Sequence, residues 1–154
     1  MSFVKDSSLV KLHIEIIEAR GLRAADSNGK SDPYCRVHLN KHDTANKHKT
    51  ATIKTNLNPT WNESVTFYPN DLQLESDRLV FQVFDKDLMS KDDLLGTVKL
   101  SLANFFRKKK NGVDGWYRLM DRETNAEGSP TGWKLGKGQL HLRITLELPG
   151  FKTH

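Results

Sequence analysis

Both ends of this 154-residue chain carry the two-residue alternation of a half-buried β-strand. Over residues 9–18, Leu12, Ile14 and Ile16 fall on one face and Lys11, His13 and Glu15 on the other. Over 139–148, Leu140, Leu142, Ile144, Leu146 and Leu148 share one side. A helix, with 3.6 residues per turn, would scatter that pattern around its circumference. Further strands are predicted at 34–39, 49–54, 64–68, 78–84, 96–102 and 116–119. Turn-forming groups divide them: Ser27-Asn28-Gly29, Asn58-Pro59, Pro69-Asn70-Asp71, Asn111-Gly112 and Gly128-Ser129-Pro130. Short strands in series without long helices between them predict an all-β chain, an eight-stranded antiparallel β-sandwich. One helical turn is expected near 103–109, and a polar, glycine-rich surface loop over 121–137. A single domain is expected across 1–154, with its core at about 8–148.

Composition narrows the class. Hydrophobic residues make up 36% and charged residues 28%, a globular balance. No apolar run approaches the roughly 20 residues that cross a bilayer as a helix. The first residues hold no long apolar stretch, so no secretory signal is expected. A lone Cys35 cannot form an internal disulfide, which fits a reducing, cytoplasmic setting, and Asn62-Glu63-Ser64 then reads as a chance sequon. The net charge of +5 favours an anionic partner, membrane lipid or nucleic acid.

Against that basic background stand two acidic clusters, Asp26 with Asp32 and, about fifty residues later, Asp85, Asp87 and Asp93. Each lies between predicted strands. Loops at one end of a sandwich can meet, and carboxylates gathered there repel unless a cation joins them. Hard divalent cations such as calcium take about six to eight oxygen ligands, led by carboxylates and backbone carbonyls. The spacing therefore points to a calcium site assembled from distant parts of the chain.

Three stretches together carry a family resemblance: Gly-Leu-Arg-Ala-Ala-Asp-Ser-Asn-Gly-Lys-Ser-Asp-Pro-Tyr at 21–34, Leu-Asn-Pro-Thr-Trp-Asn-Glu at 57–63 and Phe-Asp-Lys-Asp-Leu-Met-Ser-Lys-Asp-Asp-Leu-Leu-Gly at 84–96. In this order and spacing the chain resembles the C2 domain, the calcium- and phospholipid-binding module of conventional protein kinases C and synaptotagmins. The resemblance implies calcium ligands at Asp26, Asp32, Asp85, Asp87 and Asp93, main-chain oxygens from Ala25 and Lys86, and a position, Ser90, that sometimes supplies another. One strand before the first aspartate loop and a long strand at the end resemble the type II topology of that family. Five aspartates offer ten oxygens and a charge of −5, enough to share between two calcium ions.

The expected function is calcium-dependent binding to anionic phospholipid, phosphatidylserine or phosphoinositide, by a module that is cytoplasmic at rest and peripheral to the membrane when calcium rises. Leu88 and Met89, an apolar pair amid acidic residues, suit shallow insertion among lipids. A second expected lipid surface is basic, with Arg36, Lys47 and Lys49 beside Tyr34 and Phe84; Ala51 stands where protein kinase C relatives carry a lysine. The alternative is a calcium-independent domain that binds a protein partner or phosphoinositide through those basic strands. Arg107-Lys108-Lys109-Lys110 reads as a solvated connection.

Other motifs fail on chemistry. An EF-hand starting at Asp85 would need glycine at Ser90 and a bidentate glutamate at Gly96. Gly29-Lys30-Ser31 echoes a phosphate-binding loop, but Ala24 replaces its partner glycine and Pro33 breaks the helix that should follow. No histidine pair has zinc spacing with cysteine, and no Ser-His-Asp set can be assigned, so catalysis is not expected. Trp61, Trp116 and Trp133 are not interleaved with basic residues on one strand, so no nucleic-acid partner is expected.

Overall fold

The computed structural model describes residues 10–39, 45–69, 72–104 and 112–147. The basic run 107–110 and most of the expected helical turn lie outside them. Eight strands form: β1 (Lys11–Arg20), β2 (Pro33–Leu39), β3 (Lys47–Lys49), β4 (Thr60–Phe67), β5 (Arg78–Asp85), β6 (Asp93–Ser101), β7 (Gly112–Thr124) and β8 (Pro130–Glu147). Their order is β3-β2-β5-β6-β7-β8-β1-β4, and every neighbouring pair is antiparallel. Among the described residues β6 meets β7 at one register pair, Thr97 opposite Met120. There the ladder bends into two four-stranded halves that enclose one core. Leu12, Ile14, Ile16, Leu140, Leu142 and Ile144 come from one half; Val37, Phe81, Val83 and Val98 come from the other. The expected antiparallel sandwich is the fold observed, with one strand ahead of the first aspartate loop and the longest strand last.

Local chemistry explains the departures from plain alternation. The consecutive apolar pair Ile16-Ile17 sits at a bulge in β1 between Ile16 and Glu18, seen against both β4 and β8. The bulge resets the phase so that Ala19 joins Leu12, Ile14 and Ile16 inside. The edge strands β3 and β4 are clipped together across the open side of the sandwich. Glu63 holds the His48 ring (3.1 Å) and accepts the Ala51 N–H (2.8 Å), while the Asn46 side-chain carbonyl accepts the Tyr68 N–H at 2.9 Å. Such clips cover edges that would otherwise invite other strands.

Two expectations are corrected. The strand foreseen at 49–54 is shorter and earlier, Lys47–Lys49, because the Ala51 N–H turns to a glutamate side chain. The stretch 121–137 is not a loop. It is the far part of a long β7–β8 hairpin closed by a turn over 125–129, where the Asn125 side chain accepts the N–H groups of Glu127 and Ser129. Strands solvated on both faces need no hydrophobic alternation, so this arm left no such signal in the sequence.

All-antiparallel pairing makes odd-numbered strands run one way and even-numbered strands the other. The connections 21–32, 50–59, 86–92 and 125–129 therefore share one end of the sandwich. Both aspartate clusters lie at that end.

Candidate metal centre

The first acidic loop is built by short-range bonds. Gly29 adopts φ +79° in the turn after Asp26, and its N–H donates to the Asp26 carbonyl (3.1 Å). The Asp26 N–H donates to the Lys30 carbonyl at 2.9 Å. The buried Ser31 hydroxyl accepts the Ala25 N–H (3.0 Å) and donates to the Arg23 carbonyl (2.9 Å), stapling the loop base. The serine that merely echoed a phosphate loop thus shapes the aspartate loop, a role its spacing did not reveal.

Asp32, at the end of this loop, is pinned from two sides. Its N–H donates to Asp85 Oδ1 at 2.7 Å, and its Oδ1 accepts the Thr55 N–H at 2.7 Å. The Lys86 N–H donates to the Asp32 carbonyl at 2.9 Å. Thr55 comes from the 50–59 connection, where no residue of the metal site was foreseen. It holds φ at +55°, a sparsely populated region for a β-branched residue. Strain of this kind persists where surrounding bonds over-determine it.

Asp26, Asp32 and Asp85 each bring a carboxylate oxygen within 4.8 Å of the others. Asp85 ends β5, opposite Pro33 of β2 and Asp93 of β6, and is fully buried. Its Oδ2 is buried and accepts no hydrogen bond among the described residues. Burial pushes the Asp85 carboxyl up to about 6, opposed by the Asp32 N–H and reinforced by the Asp26 and Asp32 carboxylates. An oxygen with no donor, facing two further carboxylates, is the arrangement that a hard, multivalent cation satisfies.

Asp87 and Asp93 stand outside this trio. Asp87 turns back into its own loop, where its oxygens accept the Met89 N–H (2.9 Å) and the Ser90 hydroxyl (2.8 Å). Those bonds hold it below the usual carboxylate range, the Met89 N–H foremost. Asp93 is exposed at the start of β6. Asp92, beside Asp93, serves as a latch. It accepts the Tyr34 hydroxyl at 2.5 Å and the Asp87 N–H at 2.9 Å, with Lys86 Nζ 3.9 Å away. The Tyr34 hydroxyl is the main cause holding Asp92 below its ordinary value. Burial and the Asp92 contact raise Tyr34 to about 12.

The lipid-facing candidates separate into two sets. Leu88 and Met89 are 91% and 94% exposed at the tip of the 86–92 loop. Arg36, Lys49, Tyr34 and Phe84 form a layered group on β2, β3 and β5. Tyr34 stacks on Phe84 (5.5 Å between centroids), Arg36 lies 4.8 Å from the Phe84 ring centre, and Lys49 lies 5.1 Å from that of Tyr34. Lys47 is exposed on β3 opposite His38.

Comparison with known proteins agrees with this layout. The chain is 39% identical over 114 residues to the eye isozyme of protein kinase C from Drosophila melanogaster, a match covering 72% of this chain and 15% of that protein. It is 39% identical over 102 residues to synaptotagmin-7 from Homo sapiens, covering 66% and 25% respectively. The chain spans only 8% to 25% of the length of such curated relatives. Among solved structures, the calcium-bound tandem C2 domains of extended synaptotagmin 2 superpose with a TM-score of 0.70 at 28% identity, covering 92% of this chain and 46% of that one. The family described as C2 domain matches residues 10–119, and this chain belongs to it.

Proposed function

We propose that the chain is one calcium-responsive membrane-targeting C2 domain that binds anionic phospholipid. The supporting observation is the trio Asp26, Asp32 and Asp85, with the buried, donorless Oδ2 of Asp85 at its centre. Calcium held there supplies positive charge and open coordination positions that a lipid phosphate or carboxylate can fill. Two ions would nearly balance the charge of the five aspartates. Asp26, Asp32 and Asp85 would hold an inner ion, and Asp87, Asp93, Ser90 and the carbonyls of Ala25 and Lys86 would be the further ligands.

Bare, these carboxylates repel an anionic surface; neutralised, they do not, and no refolding of the sandwich is required. Leu88 and Met89 then enter the headgroup region, and Arg36, Lys47 and Lys49 add attraction for phosphatidylserine or phosphoinositide. The domain itself carries out no catalysis. It is cytoplasmic at rest and peripheral to the membrane when calcium rises.

Co-sedimentation with phosphatidylserine vesicles, with calcium or chelator, tests this. Wild type should bind in calcium alone, and Asp85→Asn with Asp87→Asn should abolish that binding while the circular dichroism spectrum persists. Calcium affinity should rise in the presence of the vesicles, since coupling between two ligands is reciprocal. A second reading, calcium-independent binding of a protein partner or phosphoinositide, is favoured by the Arg36–Phe84 and Lys49–Tyr34 stacks, which include none of the five aspartates. Binding indifferent to chelator would select it.

A further inference from the structure

The outer face of the β3-β2-β5-β6 half does not stop at β6. Directly opposed residues of neighbouring strands share a face. The register runs from Lys49 through Arg36, Gln82 and Thr97 to Met120 and Leu135, across six strands. The last two lie on the β7–β8 arm. Two residues further along it, Arg122 opposes Trp133. The Trp133 ring is held between two cations, with the Arg122 guanidinium carbon 4.4 Å and Lys99 Nζ 4.6 Å from its centre. Trp133 is 36% exposed and Leu135 66%. The intervening pair, Asp121 opposite Lys134, falls on the other face, so this side of the arm is cationic and apolar.

A tryptophan and a leucine ringed by basic side chains have the make-up of an element seated at headgroup depth. The arm's turn lies at the same end of the sandwich as the Leu88-Met89 loop, by strand direction. Trp133 and Leu135 themselves lie on the adjoining flank, beside Lys99 and Thr97, six and four residues along β6 from Asp93. Apolar points at that end and on that flank fit a tilted plane better than a peptide-sized groove, and the cations beside Trp133 call for negative charge on that plane.

We propose that the β7–β8 arm is a second membrane-contacting element, in which the Lys99–Trp133–Arg122 stack and Leu135 seat on the anionic bilayer that the aspartate end faces. This rests on the calcium-dependent lipid reading for the orientation of that end, although none of the candidate metal ligands lies on the arm. It makes the docked molecule lean onto its β6–β7 flank.

Spin labelling of the whole chain separates the two readings. Cys35 is fully buried and its thiol is pushed up by burial, so an introduced cysteine takes the reagent alone. Nitroxides at Leu135→Cys and, separately, Met89→Cys would be read for oxygen and nickel-complex accessibility on vesicles of equal parts phosphatidylcholine and phosphatidylserine, in calcium and in chelator. Both labels should leave water in calcium. Lys99→Gln and Arg122→Gln should each lower vesicle partition roughly fivefold, with the calcium response in the absence of lipid unchanged. Immersion at 89 with 135 in water overturns the arm proposal and leaves the calcium reading intact. Immersion at 135 alone, in chelator, supports the arm and sinks the calcium reading. Both labels remaining in water refutes both. A label at 135 shielded by polyglutamate but not by vesicles overturns the proposal in favour of an acidic protein partner.

Discussion

Asp85→Asn in chelator should make the metal-free protein more stable, although it removes the most buried carboxylate of the acidic trio. The Asp85 carboxyl is raised from 3.8 to about 6, so the folded state holds this proton more tightly than the unfolded chain does. The sign follows from linkage: stability is greatest below the unfolded value, falls as pH rises from about 4 to about 6, and stays low above that. Two pH units correspond to about 3 kcal/mol. Asp26 and Asp32 are partly exposed, and solvent screening through them reduces the figure to about 1–2 kcal/mol. Asparagine keeps an oxygen for the Asp32 N–H and turns an amide toward the Asp26 and Asp32 carboxylates, so nothing on the donor side is lost. In EDTA at pH 7 the variant should melt roughly 5 °C above wild type, and its stability between pH 4 and 6 should be flatter. In calcium the order should reverse, because wild type gains about 2.7 kcal/mol at a hundredfold excess over its dissociation constant. Urea titrations at pH 4.5 and 7, with EDTA or calcium, read all of this. A variant less stable than wild type in EDTA would show that the three carboxylates impose no strain, and the reasoning from the donorless oxygen would fail.

Tyr34→Phe removes the hydroxyl that latches Asp92; it should cost about 1–2 kcal/mol and speed chelator-dependent proteolysis between residues 86 and 92, as followed by mass spectrometry. Gly96→Ala would set a Cβ 2.7 Å from Leu119 Cβ in the core, and a loss of about 1–3 kcal/mol in thermal melts is expected; an unchanged melt would contradict the close packing of β6 on β7. His141 is raised chiefly by its bond to Asp114 and also by Glu18, so its contribution is full below its unfolded value of 6.5 and is lost as pH climbs through the higher folded value. His141→Asn should therefore erase a decline in the urea midpoint on the alkaline side of pH 6.5 that wild type displays.

What could be read in the sequence is what burial writes there. Alternation marked β1 and the inner part of β8, which bury one face, and apolar runs between turn residues marked β2 and β5, all to within two or three residues apart from the arm at the start of β8. β7 beyond Leu119 runs Met120 to Thr124 with little buried, so no period of two appeared and the arm read as loop. Asp26, Asp32 and Asp85 were legible because acidic residues cluster in two segments between predicted strands and match the motif of the family the chain resembles. Thr55 was not, because it contributes only a backbone N–H, for which any residue type serves. Ser31 and the Asn46 and Glu63 clips were equally silent: Ser31 acts through a local staple to Ala25 and Arg23 that a serine in a turn-rich loop does not announce, and the clips join residues whose proximity exists only after the sheet has formed.

The same division explains how a stable fold carries a repulsive end. Asp85 and Asp93 are spaced by the β5–β6 ladder, and Asp32 is fixed between the Asp85 carboxylate and the Thr55 N–H. The backbone of Asp32 and Asp85 is therefore set by hydrogen bonds that also hold the sandwich together, and the repulsion falls on their side-chain oxygens. Asp87 is different: its carboxylate is satisfied by the Met89 N–H and the Ser90 hydroxyl of its own loop. For Asp87 to ligate, those bonds must be exchanged, and the exchange moves the residues flanking Leu88 and Met89. An inner trio set in advance and an outer aspartate tied to the apolar tip would couple cation capture to the posture of the exposed Leu88-Met89 segment. The core need not participate, which is why substitutions at Asp87 should alter membrane binding far more than they alter stability.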